Sequence, residues 1–417
     1  MTVQSTTAKS GPLTTSSTKF MPGNEKLPFA RPDLSDREFE AVRAVMESGW
    51  ITSGPETDLF EKEFADFVGA ADGAALNSAT AALHLGLVAL GIGPGDVVLV
   101  PAFTFTATAE VVSRTGAVPV LLDVDRKSYL LTPDIVAEFL RGCRGSDGKL
   151  TCDQGVVKAI ICVHYGGRVC DLDGLFSLCQ SHGLELLQDA AHSFPARDGA
   201  GYVGRRGPVT AFSFYATKNM TTGEGGMITG DRPELIEKIR RLRLHGIATP
   251  AHRRAGWHYD VVEQGYKYNL SDIASAIGRV QLQRSLEMWE KRKAIHERYQ
   301  KAFSSVPGLR PCPEQTGSAH HLYTLEISGD SGLGRDEFVA EMEKRKVGTG
   351  LHFIPLYRMT YYQQKYGLDP NRFPGCEAIF ASIVSLPIYS AMSESDCSRV
   401  IDAVLDSIAA VQRGPQG

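Results

Sequence analysis

No apolar run in this sequence approaches the roughly 20 residues that a membrane-spanning helix needs. Paired cysteines are missing as well. The eight cysteines, Cys143, Cys152, Cys162, Cys170, Cys179, Cys312, Cys376 and Cys397, form no Cys-x-x-Cys motif, and a chain of 417 residues needs no disulfide staples. Free thiols in a reducing cytoplasm are expected. A surplus of positive charge is absent too: the net charge of -4 offers neither a nucleic-acid surface nor a polybasic membrane patch. No DNA-binding helix pair is appended and no internal repeat is present. Met1–Lys26 is rich in Ser and Thr and lacks the apolar centre of a secretory signal, so a disordered tail over residues 1–26 is expected. A dinucleotide fingerprint is also lacking. Gly91-Ile92-Gly93-Pro94-Gly95 is glycine-rich, but Pro94 and the strand expected at Val97–Val100 make it a helix-to-strand turn, the reverse of the order such a motif requires. That argues against a nicotinamide oxidoreductase.

What is present reads as an alternating α/β chain of ordinary globular composition, 43% apolar and 22% charged. Its length exceeds what one core usually supports, so two domains are expected, a large one over 27–290 and a small C-terminal α+β one over 291–417. A capping box at Ser35–Glu38 opens a helix ending near Ser48, and a second helix is expected over Glu56–Val68. Strands are expected at Val97–Val100, Val118–Leu122, Ala159–His164 and Leu184–Gln188. Helices at Pro133–Arg141 and Leu172–His182 lie between them. This order predicts a mostly parallel sheet covered by helices, with ligands at the carboxyl ends of its strands. Gly142–Gln154 reads as an inserted surface loop and Thr249–Gln264 as irregular. Arg232–Leu244 is expected as a helix, and a longer one runs from Asp272 to about Arg292. In the small domain the pattern gives strands at Leu322–Ile327 and Gly350–Phe353. Its helices are placed at Arg335–Lys346, Glu377–Val384 and Ser393–Val411.

One stretch organises the rest. Ala211–Tyr215 is an apolar strand that breaks into Ala216-Thr217-Lys218-Asn219, followed by Gly223-Glu224-Gly225-Gly226. A lysine at such an edge is a candidate nucleophile, since a desolvated amine gives up its proton more readily. The plainer reading is a snorkelling lysine at a strand end. Asp189 and His192 stand just past another strand; an N-cap acid and a structural histidine are the plainer alternatives. Ala79-Thr80-Ala81 opens a helix whose free N–H groups make an anion site, or an ordinary cap. Phe105 stands where a strand gives way to a helix and can stack on a flat ligand or fill core. Pyridoxal 5'-phosphate (PLP) needs a lysine for a Schiff base, an acid at its pyridine nitrogen, a phosphate site and a flat contact. Lys218, Asp189, the Ala79-Thr80-Ala81 start with Ser213, and Phe105 supply all four. No metal is called for.

The chain resembles the DegT/StrS sugar aminotransferases, fold-type I PLP-dependent transferases of aspartate aminotransferase-like architecture, from about Leu27 to Val411. The markers are Ser48–Pro55, Ser78–Ala81, Pro101–Phe105, Asp189–His192, Phe212–Phe214 with Lys218-Asn219, Gly223–Gly226 and Leu386-Pro387. His164–Gly167, Gly265–Leu270 and Gly348–Phe353 are most similar to the branch that aminates a UDP-4-keto-pentose to UDP-4-amino-4-deoxy-L-arabinose. The resemblance implies that Lys218 forms the Schiff base and Asp189 bonds the pyridine nitrogen. His192 then sits beside the ring, Phe105 stacks on it, and Thr80, Ala81 and Ser213 hold the phosphate. It implies a nucleotide-linked 4-keto sugar as substrate and the L-glutamate/2-oxoglutarate pair as donor, in a cytoplasmic homodimer. The partner's Gly265–Asn269 segment would reach the phosphate through Lys267 or Asn269, positions where relatives often carry Asn and Arg. A dehydratase is the runner-up, and Lys218 argues against it because dehydrating relatives carry His there. A non-catalytic PLP-binding homologue is the other alternative.

Overall fold

The structure, a computed structural model, describes residues 25–146 and 149–412. The expected tail lies outside the described residues up to position 24.

The main sheet is built from β1 (Asp72–Leu76), β2 (Asp96–Pro101), β3 (Val118–Leu122), β4 (Arg144–Ser146), β5 (Lys149–Cys152), β6 (Gly155–Val163) and β7 (Glu185–Asp189). After a separate small hairpin, β8 (Arg197–Asp198) and β9 (Gly201–Tyr202), it is completed by β10 (Val209–Ser213) and β11 (Gly226–Gly230). The order is β1-β11-β10-β7-β6-β2-β3. Neighbours from β10 to β3 run parallel, while β11 is antiparallel to both β1 and β10. The central strands are buried on both faces, which is why they read as near-continuous apolar runs instead of alternating ones. Thirteen residues expected as an inserted loop, 142–154, instead contain the β4–β5 hairpin. It extends the sheet because Thr151 and Cys152 pair with Val156 and Gly155 at the start of β6.

Helices cover the sheet. They are α1 (Asp36–Ser48), α2 (Pro55–Val68), α3 (Ala79–Ala89), α4 (Thr106–Arg114), α5 (Pro133–Arg141), α6 (Leu172–His182) and α7 (Pro233–Leu242). In α1 the Glu38 carboxylate accepts from the Ser35 N–H at 2.8 Å, the return half of the expected capping box. Pro55 begins α2, where its missing N–H costs nothing, and Gly69 ends it with φ of 75°.

The next helix, α8 (Asp272–Phe303), runs eleven residues past the expected end at Arg292. No Pro or Gly interrupts it there, and Ile295, Tyr299 and Phe303 recur at a four-residue spacing that keeps one apolar face. That face enters a second core with Leu325, Phe338, Val384 and Val400. A small antiparallel sheet frames this core: β12 (Leu309–Pro311), β13 (Tyr323–Ile327) and β14 (Ile383–Leu386). With it pack α9 (Arg335–Lys344) and α12 (Glu394–Gln412), while α10 (Thr360–Tyr366) and α11 (Pro374–Phe380) bury Tyr362, Cys376 and Ile379 in the core of the main sheet. Two expectations change here. The helix placed over Glu377–Val384 stops at Phe380, and Ile383–Leu386 is a strand because its residues pair with Tyr323–Glu326. Gly350–Phe353 is extended but meets Ser385 through a single bridge at Gly350. His352 and Phe353 leave the sheet to line a cavity.

Candidate active site

The carboxyl ends of β2, β7 and β10 and the start of α3 meet at one cavity of about 450 Å³, a size suited to a small-molecule ligand. Ala79, Thr80, Phe105, Asp189, His192, Ser213 and Lys218 all line it. Ala81 lies one residue further along α3, with its N–H taken by the Ser78 hydroxyl at 3.1 Å. The first intrahelical bond begins at Ala82 N–H, so the Ala79 and Thr80 N–H groups stand ahead of the ladder and face the cavity side. A Cβ on Gly226 would run into the Ser78 backbone, so only glycine lets β11 pass beneath this helix start.

Lys218 stands on the turn after β10, its N–H bonded to the Tyr215 carbonyl at 2.9 Å. Burial lowers its ammonium from 10.5 to about 8, with the Asp189 carboxylate pulling the other way. Asp189 closes β7. Its Oδ2 accepts from the Thr108 hydroxyl at 2.9 Å and its Oδ1 from the Ala191 N–H at 3.2 Å. Burial raises this carboxyl above its ordinary value; the Ala191 N–H, the Thr108 hydroxyl, Lys218 and His164 oppose the rise.

His192 is buried and held well below its ordinary pKa, first by burial and then by Lys218 and His352. Its Nδ1 accepts the Gly166 N–H at 3.3 Å, so the proton of the neutral ring is on Nε2. Phe353 stacks on it with ring centres 5.8 Å apart. Phe105 is 56% exposed onto the cavity, with Phe353 at 5.9 Å. Exposure of an aromatic inside a pocket otherwise built from buried strand ends suits a flat ligand.

Sequence reasoning missed several lining residues: Phe29, His321, His352 and Phe353. His321 is the most telling. The Asn219 amide donates to the Phe194 and Ala319 carbonyls at 2.9 and 2.7 Å, which turns its oxygen toward His321 Nδ1 at 2.9 Å. His321 therefore carries its proton on Nδ1, and its Nε2 lone pair is free. Its ring is 4.4 Å from that of His192. The adjacent pair Lys218-Asn219 thus reaches a histidine about a hundred residues away, and no local signal in the sequence announces that. Lys267 and Asn269 lie outside the cavity. Lys267 is exposed, and the Asn269 amide donates to Ser53 Oγ at 2.6 Å.

Cys162, His164 and Cys170 also cluster beneath the strand ends. Gln188 gives its amide N–H to the Arg206 carbonyl, so its oxygen accepts His164 Nε2–H at 3.2 Å, while His164 Nδ1 accepts the Cys170 N–H at 3.2 Å. Neither ring nitrogen keeps a lone pair for a metal.

The profile of the DegT/DnrJ/EryC1/StrS aminotransferase family matches residues 32–405. The chain belongs to this family. It is 41% identical over 393 residues to the spore coat polysaccharide biosynthesis protein SpsC of Bacillus subtilis, covering 92% of this chain and 98% of that one. The PLP form of Spr1654 from Streptococcus pneumoniae superposes with a TM-score of 0.83 at 30% identity, covering 93% of this chain and 99% of that one. The aminotransferase TlmJ of Streptoalloteichus hindustanus gives 0.83 at 32%, covering 93% and 100%. The fold is that of the fold-type I PLP-dependent transferases, and PLP is the family's cofactor. The aminotransferase has no helix, among the described residues, long and apolar enough to cross a membrane.

Proposed function

We propose that this aminotransferase moves an amino group from L-glutamate to the 4-keto carbon of a nucleotide-linked sugar, with PLP held on Lys218. The observation that carries the reading is the convergence of Lys218, Asp189, the open start of α3 and the exposed Phe105 face in one cavity. The residues present fit the cofactor: a lysine amine of lowered pKa, a buried carboxylate, two backbone donors and a flat ring. Bound there, PLP supplies an electron sink for the carbanion formed at the substrate carbon. Asp189 would keep the pyridine nitrogen protonated. Thr80 and Ser213, with the Ala79 and Thr80 N–H groups, would hold the phosphate, and Ala81 would support them through the Ser78 cap. Phe105 would offer a flat contact to the ring, with His192 as a further neighbour. Lys218 Nζ, its pKa lowered by burial to about 8 and so more readily deprotonated than an ordinary lysine, would take a proton from the substrate carbon and return it, as general base and then acid. The aromatic wall of Phe29, Phe353 and Phe105 excludes water around that step.

The sugar substrate is supported by the similarity to SpsC, a polysaccharide biosynthesis protein, and the donor by family resemblance. The UDP-4-keto-pentose branch is the first substrate to try. Eight free cysteines suit a cytoplasmic enzyme. We assign the working unit to a homodimer, since Lys267 is exposed and outside its own cavity, as a residue serving a partner's site would be.

The test is the visible absorption spectrum before and after L-glutamate. A Schiff-base band that glutamate converts to that of the aminated cofactor is expected, and UDP-, dTDP- and GDP-linked 4-keto sugars are then screened for restoring it. A colourless protein would overturn the cofactor assignment. A band indifferent to glutamate would overturn the donor.

A further inference from the structure

Two threonine hydroxyls stand behind Asp189. Thr104 follows β2, Thr108 is in the first turn of α4, and both are fully buried. Their Oγ1 atoms are 2.9 Å apart, and Thr108 Oγ1 donates to Asp189 Oδ2 at 2.9 Å. A hydroxyl has one proton to give. Thr108 directs its proton to the carboxylate, so its oxygen accepts from Thr104. Both protons then point toward Asp189. A protonated Asp189 would offer its own proton to Thr108, and the chain would have to reverse.

We propose that Thr104 and Thr108 form a two-hydroxyl relay that holds Asp189 as a carboxylate and thereby sets how firmly the cofactor's pyridine nitrogen stays protonated. This rests on the reading that Asp189 faces that nitrogen. The relay counters the burial that otherwise favours the neutral acid. The other titratable groups facing Asp189 are Lys218 from the turn after β10 and His164 with Cys162 from the end of β6. Lys218 is tied up in cofactor and proton chemistry, and the His164 ring is committed to Gln188 and Cys170. The Thr108 hydroxyl is the side-chain hydrogen-bond donor that does not change during turnover. Thr104 and Thr108 are positioning residues that act through Asp189; Thr108 lies outside the cavity lining, and Thr104 borders the cavity with 1% of its surface exposed.

The test uses holoenzyme carrying Thr108→Val, Thr108→Ser or Thr104→Val. Three quantities are read: the pH midpoint of the visible cofactor band, the PLP dissociation constant, and the melting temperature of the apoprotein. Removing a hydrogen bond to a charged group is worth about ten- to a hundredfold, so Thr108→Val should weaken PLP binding by that factor. It should also move the band midpoint upward by about one pH unit, because a pyridine nitrogen that loses its proton no longer favours the deprotonated imine. Thr104→Val should move both in the same direction by less, and Thr108→Ser should restore wild-type values. A Thr108→Val protein with wild-type midpoint and affinity, altered only in melting temperature, would overturn the relay. If Thr108→Val does not fold, a Thr104→Val protein with an unmoved midpoint would overturn it equally. A wild-type protein with no band would instead bring down the cofactor assignment itself.

Discussion

Replacing Lys218 by methionine keeps the length and most of the volume of the side chain but removes its amine. The buried amine titrates at about 8, against 10.5 for an ordinary lysine. A folded-state value below the unfolded one means that the folded protein binds the proton less well. The penalty is therefore complete below pH 8 and vanishes as pH rises past 10.5. At about 1.4 kcal/mol per pH unit, linkage gives a cost of about 3 kcal/mol at pH 7.5 and about 2 kcal/mol at pH 9. Lys218→Met should relieve that cost in the apoprotein. These figures are ceilings, because the Lys218 side chain as a whole is only half-buried and its cation also compensates Asp189. The assay is thermal melting of both apoproteins between pH 7 and pH 10, with turnover measured on the PLP-reconstituted forms. The variant should melt higher near neutrality, the gap should close toward pH 10, and turnover should be abolished. A gap that ignores pH would refute the buried, neutralised amine. Retained turnover would refute Lys218 as the residue that carries the cofactor and the proton.

Asp189→Asn should lower turnover by about a hundred- to a thousandfold, the scale of leaving one partner of a buried charge pair uncompensated, with the fold intact by circular dichroism. A rate within about threefold of wild type, well inside that range of effects, would move the role to another group. The homodimer is checked by sedimentation, where the holoenzyme should run at twice the mass of one chain; a single-chain species at micromolar concentration would remove the shared-site reading of Lys267.

Most of the residues that converge on the cavity were legible because each part is local. A strand end with a lysine, a strand end with an acid, and a small-residue helix start each fit within a few residues. Their side chains are placed by the strand or helix they terminate. The place of Phe105 on the cavity wall was legible for the same reason. The helix α8 was underestimated at its far end because its continuation carries many charges, and only its Ile295-Tyr299-Phe303 face, buried in the second core, shows why it persists. Ile383 and Val384 were taken into a helix because a short, mostly apolar run is ambiguous between helix and strand until a partner such as β13 decides.

By itself the sequence determined the α/β class, the parallel core of the sheet and most of the residues that converge on the cavity, since these follow from periodicity and from chemistry confined to strand ends. Only the tertiary structure decided how strongly that chemistry is tuned. Burial lowers Lys218 and His192 and raises Asp189. Thr104 and Thr108 stand behind the acid, and Asn219 fixes the tautomer of His321 across the cavity. Desolvation and hydrogen bonds between distant segments depend on what packs around a group, and one residue's neighbours along the chain do not reveal that.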